Sequence, residues 1–220
     1  MAKKMDNTRT RAISNFKIKL GALLRIIFGK VLVFEKTFVF EKSLSKFSFK
    51  MGNEAKVDVR LAQSSDVLKL VNKFKKFRGG KAEERLKAGH LCFIAEKNGD
   101  IVHYKWVSFN KTYVNELERR IRIGSDSAYI YDAYTVPECR GTGISPKVSA
   151  RIFDYLFQNG IKKIYYLISY NNFPSLRDAE KMGLRNMGEV TLTRLFKLRI
   201  YRCKGKTHKD YITLKEMFSI

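Results

Sequence analysis

Apolar and polar positions follow two periods along this chain, and the switches between them lay out its elements. Val31 to Lys42 is rich in branched and aromatic residues, carries Val-Phe-Glu-Lys twice, and predicts a strand. Lys56 to Ala62 alternates and predicts a second. Ser64-Ser65-Asp66 then offers capping groups for a helix whose apolar stripe is Val67, Leu70, Val71 and Phe74, with Lys73, Lys75, Lys76 and Arg78 on its other face and end. Leu91 to Glu96 and Ile101 to Phe109 flank Lys97-Asn98-Gly99-Asp100, and an Asn-Gly pair between two such runs predicts a tight hairpin. Residues 110–126 are polar and mixed, and read as a loop with a short helix. Ala128 to Thr135 is aromatic and β-prone. After it Val148, Ile152 and Leu156 recur on one helical face, with Ala150, Phe153 and Phe157 beside them, until Gly160 provides a stop. A strand from Lys163 to Ile168, a helix after Asn172 and strands from about Val190 to Cys203 complete the pattern. A strand–helix–strand crossover over residues 128–168 pairs its strands in parallel and puts the intervening loop at a strand's carboxyl end, where α/β sheets receive ligands.

That loop is Val136-Pro137-Glu138-Cys139-Arg140-Gly141-Thr142-Gly143-Ile144-Ser145-Pro146. Gly141 and Gly143 lack Cβ and can adopt backbone angles that aim successive amides at one point. The new helix adds free N–H groups and the positive end of its dipole, which together suit phosphate. Ser145 suits the N-cap and Pro146 the first helical position, where a missing N–H costs nothing.

The segment Arg140-Gly141-Thr142-Gly143-Ile144-Ser145 resembles the acyl-CoA signature Arg/Gln-x-x-Gly-x-Gly/Ala of the GNAT superfamily of N-acetyltransferases, with serine in the last place. A second stretch, Asn172-Phe173-Pro174-Ser175 followed by Glu180-Lys181-Met182-Gly183-Leu184, is similar to that superfamily's later Asn-x-x-Ala/Ser and Glu-Lys-x-Gly-Phe segment. The resemblance covers roughly residues 55–203. It implies a mixed, mostly antiparallel central sheet flanked by helices, and transfer of an acyl group, usually acetyl, from CoA to an acceptor amine in a ternary complex. It also implies that amides from about Arg140 to Ser145 (Arg140, Gly141, Thr142, Gly143, Ile144, Ser145) hold the diphosphate. The strand edge at Tyr134, Thr135 and Val136 would pair with the pantetheine arm, and Ser175 would join the cofactor site. Asn172 would contact the arm near the thioester or cap the helix that contains Ser175, two compatible roles.

Proton handling departs from the superfamily's pattern. Many relatives carry a tyrosine seven residues after the motif asparagine to protonate the departing thiolate, and here that position is Ala179. Tyr165, Tyr166 and Tyr170 lie nearby in sequence, but aromatics on a strand are commonly core. An amine must lose a proton before it attacks, so a carboxylate is expected near the strand that precedes the loop. Asp132 is the one acid on Tyr129 to Val136. It is either that base or a structural hydrogen-bonding group. Period-2 geometry puts Ile130, Asp132 and Tyr134 on one face and Tyr129, Tyr131 and Ala133 on the other.

Composition narrows the rest. With 220 residues and 45% hydrophobic content the chain can bury one ordinary domain plus an appendage. Three scattered cysteines and three scattered histidines suggest neither a disulfide framework nor a metal site, and a reducing cytoplasm fits. The net charge of +23 draws anionic partners: CoA itself, an anionic acceptor, nucleic acid or an anionic membrane surface. Residues 1–53, with twelve Lys and Arg against three acids, read as a basic extension and linker. Within them residues 13–30 put Phe16, Leu20, Leu23, Leu24, Ile27 and Phe28 near one helical face. That segment is too short and charged to span a bilayer, and reads either as a helix lying on the inner membrane surface or as one that packs on the domain or on a second copy in a homodimer. The expected division is therefore 1–53 extension, 54–205 acyltransferase domain and 206–220 tail.

Overall fold

In the computed structural model, which describes residues 32–45, 56–74 and 81–219, eight strands form one twisted sheet. The strands are β1 (Leu32–Ser43), β2 (Asp58–Leu61), β3 (Leu91–Lys97), β4 (Asp100–Ser108), β7 (Ser127–Thr135), β8 (Lys163–Ser169), β9 (Arg185–Leu195) and β10 (Leu198–Gly205). Their order is β10-β9-β1-β8-β7-β4-β3-β2, and a separate hairpin pairs β5 (Lys111–Val114) with β6 (Arg119–Arg122). Every pairing in the large sheet is antiparallel except β7 with β8, the expected crossover pair. The helices are α1 (Val67–Phe74), α2 (Ala82–Lys87), α3 (Ile144–Gln158), α4 (Phe173–Lys181) and α5 (His208–Phe218).

Core residues sit on both faces of the sheet. One cluster joins Phe93, Val107, Ala128, Ile130 and Ile164 to Ile144, Val148, Ile152 and Leu156 of α3. On the opposite face Leu70 and Phe74 of α1 pack with Cys92, Ile94, Tyr104 and Trp106, and a third cluster holds α5 against β9 through Leu214, Met217 and Phe218. The Asn98-Gly99 hairpin is present, with both residues at positive φ (53° and 81°) as a primed two-residue turn demands. α3 ends as expected: Gly160 has φ 79°, and the N–H groups of Ile161 and Gly160 bond back to the carbonyls of Leu156 and Phe157.

Three expectations are corrected. Residues 110–126 form the β5–β6 hairpin rather than a loop with a helix. Its alternation is only four residues per strand, and its apolar positions Val114, Leu117 and Ile121 become core only because α5 and Tyr129 cover them. β1, grouped by its sequence with the basic extension, lies inside the sheet between β8 and β9, so a boundary at residue 53 would separate an interior strand from its neighbours. Residues 208–218, read as part of a tail, are the helix α5, with Asp210 held by Arg185 at 2.9 and 3.0 Å. The amphipathic segment 13–30, most of the linker before residue 56, and Lys75, Lys76 and Arg78 lie outside the described residues.

Candidate active site

The loop between β7 and α3 begins with a single 3-10 turn, Pro137–Cys139, which uses the Arg140 amide in a bond to the Pro137 carbonyl (3.2 Å). Gly141 and Gly143 then take φ of 75° and 78°. A Cβ on either would meet no atom within 4 Å, so glycine is required there by backbone angle and not by crowding. Gly143, in the left-handed conformation, is the N-cap, and α3 starts at Ile144. The expected cap, Ser145, is instead the second helical residue and Pro146 the third. The left-handed glycine turns the chain into the helix two residues sooner than the Ser-Pro pair suggested, with no side chain satisfying the first turn. Among the described residues the amides of Gly141, Thr142, Gly143, Ile144 and Ser145 have no hydrogen-bond acceptor. Five adjacent donors at a helix N-terminus, on a loop exposed from Arg140 to Gly143, form a nest for an anion. Thr142 ties the loop down by donating to the Cys139 carbonyl (2.8 Å). Arg140 braces it: Nε donates to the Thr135 carbonyl at 3.1 Å and the guanidinium lies 5.4 Å from the Tyr134 ring.

Beside the loop the sheet opens. β7 pairs with β4 as far as Thr135, but with β8 only from Ser127 to Ile130. Beyond Ile130 the two parallel strands part, leaving a cleft of about 310 Å³ whose walls include Tyr129 to Ala133, Ser145, Tyr166, Asn172 and Ser175. The ladder between β7 and β8 therefore stops before Tyr131. Of the expected strand edge, the Val136 amide donates to the Val102 carbonyl of β4 at 3.0 Å, and the Thr135 side-chain hydroxyl meets His103 Nδ1 at 2.7 Å. Tyr134 stacks on Tyr104 on the α1 side.

A bulge sets where Asp132 sits on the strand. Lys105 pairs with Ala133 and Trp106 with Tyr131, so Asp132 is an extra residue with φ 42°. It breaks the period-2 alternation, and Tyr131 and Tyr134 both reach the α1–α2 face of the sheet instead of opposite faces. The Asp132 carboxylate meets the buried Arg85 guanidinium of α2 at 2.5 Å, as a charge contact without aligned hydrogen-bond geometry, and Tyr104 donates to it at 3.4 Å. Arg85 is sandwiched between the Trp106 and Tyr131 rings at 5.0 and 5.1 Å. Asp132 thus makes structural contacts and also lines the cleft.

Asn172 caps α4, its Oδ1 accepting from the Ser175 amide at 3.3 Å, and both residues line the cleft. Ala179, where a tyrosine acid is common, is fully buried and carries no proton. Sequence reasoning missed Lys105, the fourth wall of the cleft. It stands on β4 with 3% exposure, and its Nζ donates to Ser149 Oγ (2.7 Å), Ser145 Oγ (3.1 Å) and the Ser145 carbonyl (3.3 Å). Burial lowers its pKa to about 8, while Asp178 pulls the other way. The signal available was one lysine in the middle of the apolar run from Ile101 to Val107. Two residues away, burial and the Lys105 charge keep His103 well below its ordinary range.

Ser145, Asn172, Ser175 and Asp132 thus line one cleft, and the loop of residues 141–144 leads into it at Ser145. Among the described residues no cluster of His, Cys, Asp and Glu could hold a metal ion. The fold and this loop define an acyltransferase of the GNAT type. The acetyltransferase (GNAT) family model matches residues 65–184, more than half of the sequence, and the chain belongs to that family. No curated protein matches the sequence. Among solved structures, a conserved protein of unknown function from Staphylococcus epidermidis is similar at 10% identity over 80% of this chain and 67% of that one, with a TM-score of 0.55. A GNAT-family acetyltransferase from Colwellia psychrerythraea is similar at 12% identity over 76% of this chain and 57% of that one, with a TM-score of 0.53. These likenesses are of fold.

Proposed function

We propose that the protein is an acetyl-CoA-dependent N-acetyltransferase that passes the acyl group directly to an amine in a ternary complex. The observation that carries this reading is the row of five unbonded amides from Gly141 to Ser145 beside the splayed edge of β7. The amides would hold the diphosphate without side-chain charge, and the helix dipole adds to the attraction. The pantetheine arm would run back from the loop along the edge of β7 at Tyr131 to Ala133, completing the ladder that β8 abandons at Ile130. Asn172 and Ser175 then face the arm from the opposite wall. Catalysis by this constellation is mainly orientation: two reactants held in line in a cleft that limits water.

The acceptor would enter past Glu116 and Asp178, which also line the cleft. The net charge of +23 favours an anionic acceptor by long-range attraction, though the walls themselves carry carboxylates that suit an amine. Docking of residues 13–30 on an anionic inner membrane surface, or self-association through them, rests on their sequence. No helix among the described residues is long and apolar enough to cross a membrane. The alternative, a basic nucleic-acid-binding or membrane-docked protein on the same scaffold without turnover, draws on Lys73 to Arg78 and on Arg194, Lys197, Arg199, Arg202, Lys204 and Lys206; of these Arg194 and Arg199 are engaged by Glu118, at 3.1 and 2.8 Å.

Calorimetric titration of the full chain with acetyl-CoA tests the reading. Saturable binding is expected, and the absence of heat at millimolar ligand would defeat it. Release of free CoA thiol across a panel of amines would then identify the acceptor.

A further inference from the structure

Toward the turn between β9 and β10, the strands β1, β9 and β10 are covered on one side only among the described residues. On that side α5 and the β5–β6 hairpin pack over Val190, Leu192 and Tyr201, whose hydroxyl donates to the Leu117 carbonyl at 3.0 Å. On the other side register lines the side chains up in rows, because residues directly opposite in an antiparallel ladder share a face. Leu32, Leu195 and Leu198 make the first row, and Phe34, Thr193 and Ile200 the second. Lys36, Thr191 and Arg202 make the third, and Phe38, Glu189 and Lys204 the fourth. Phe196 and Lys197 form the turn ahead of the first row. Leu32, Phe34, Leu195, Phe196, Leu198 and Ile200 are each between 41% and 69% exposed. So many large apolar side chains left in water on one face mark a contact surface.

Charge decides what this surface fits. The apolar rows lead and the cations follow: Lys36 and Arg202 stand one row behind Phe34 and Ile200, and Lys204 one row behind them. The one acid in these rows, Glu189, is held by Lys36 at 2.7 Å, and Arg202 and Lys204 are exposed. At about 3.4 Å per residue the first and second rows stand roughly 14 and 7 Å ahead of the third. That is comparable to the depth of about 5–10 Å to which apolar faces enter the boundary between lipid headgroups and acyl chains. Cations set back by such a distance meet anionic headgroups. The chain enters the first row at Leu32, and the sequence just before it adds Lys17, Lys19, Arg25 and Lys30.

We infer that this open face docks the protein on an anionic lipid surface, with the β9–β10 turn and the first two rows inserted and the row of Lys36 and Arg202 on the headgroups. The inference goes beyond the acyl-transfer reading and does not depend on it. Two other occupants fit less well. A second copy in two-fold contact through this face brings the same cations into the interface and no further acid to meet them. A nucleic acid is met first by leucine, isoleucine and phenylalanine, which hold its phosphates off the cations behind them. The face also adjoins the cleft. β8 ends at Ser169, the Tyr170 amide donates to the Lys36 carbonyl at 2.9 Å, and Asn172, two residues further on, lines the cleft. A bilayer on this face therefore stands beside the site.

The test is flotation of the full chain with phosphatidylcholine vesicles, with and without phosphatidylglycerol. Wild type should partition onto the anionic vesicles better than onto the neutral ones by about tenfold or more. Replacing Phe34→Thr, Leu198→Thr and Ile200→Thr together leaves residues 1–31 and every cation in place, and threonine suits exposed strand positions. This triple variant should melt like wild type and lose about tenfold or more in partition. Should it melt early, Arg202→Gln with Lys204→Gln serves instead and should lose a similar factor on the anionic vesicles. Phe196→Trp reports insertion: its emission should shift to the blue on vesicles and be quenched by brominated lipid, against a buried Trp106. Wild type that stays off anionic vesicles overturns the inference, whether it then proves to be a dimer that the triple variant dissolves or a protein that retains RNA. Partition of a folded variant equal to that of wild type overturns it too and assigns lipid binding to residues 1–31. Unshifted Phe196→Trp emission on vesicles that carry the protein also overturns it.

Discussion

Single residues decide the chemistry here through backbone angle and burial. Gly143 caps α3 at φ 78°, so Gly143→Val places a branched residue in a conformation it rarely adopts and turns the amides of Ile144 and Ser145 away from each other. Acetyl-CoA affinity should fall at least tenfold by calorimetry while the fold survives, because a Cβ at this exposed position meets no atom within 4 Å. Arg85 and Asp132 behave oppositely: Arg85→Met leaves a buried carboxylate alone and should cost about 3–5 kcal/mol in denaturant unfolding. The double replacement Arg85→Met with Asp132→Asn should recover much of that loss, which a simple loss of packing by Arg85 would not allow. Lys105 adds a pH dependence. Its folded pKa, about 8, is below the unfolded value near 10.4, so the unfolded chain binds more protons between them and stability rises with pH over that window. Thermal melting from pH 7.5 to 10 should show the wild type gaining on Lys105→Gln as pH increases.

At the level of elements, the sequence was legible wherever a pattern was long or its turn chemistry specific. The Asn98-Gly99 hairpin, α3 with its Gly160 stop, and the parallel β7–β8 pair needed only local information. The β5–β6 hairpin did not meet that condition, because four alternating residues distinguish a strand from a loop only once α5 supplies a face to bury against. The period-2 facing of this strand failed for a related reason: a bulge shifts the alternation by one residue, and no propensity marks which residue of Tyr131-Asp132-Ala133 will be extra. Gly188 is the element-level counterpart of Gly143. Its φ is 145° and a Cβ there would lie 2.1 Å from the Lys204 carbonyl oxygen, so Gly188→Ala should force β9 and β10 apart. A loss of more than about 2 kcal/mol in unfolding free energy is expected, with acetyl-CoA affinity unchanged in the molecules that remain folded.

For the whole molecule, the position of β1 matters most. Seven residue pairs join it to β8 and ten to β9, and Thr37 and Val39 are almost completely buried. A chain beginning at residue 54 should therefore fail to give a cooperative melting transition, whereas one beginning at residue 31 should retain it. Equal melting of the two would show that the sheet closes without β1. The sequence by itself determined the glycine loop before α3, the asparagine cap and the acetyltransferase family, because each depends on residues adjacent in the chain, whose backbone angles are local properties. Tertiary structure alone decided that β1 belongs inside the sheet, that Asp132 turns to Arg85, and that Lys105 lies beneath Ser145. Those outcomes depend on which distant strands become neighbours, and on how far a charge is removed from water when they do.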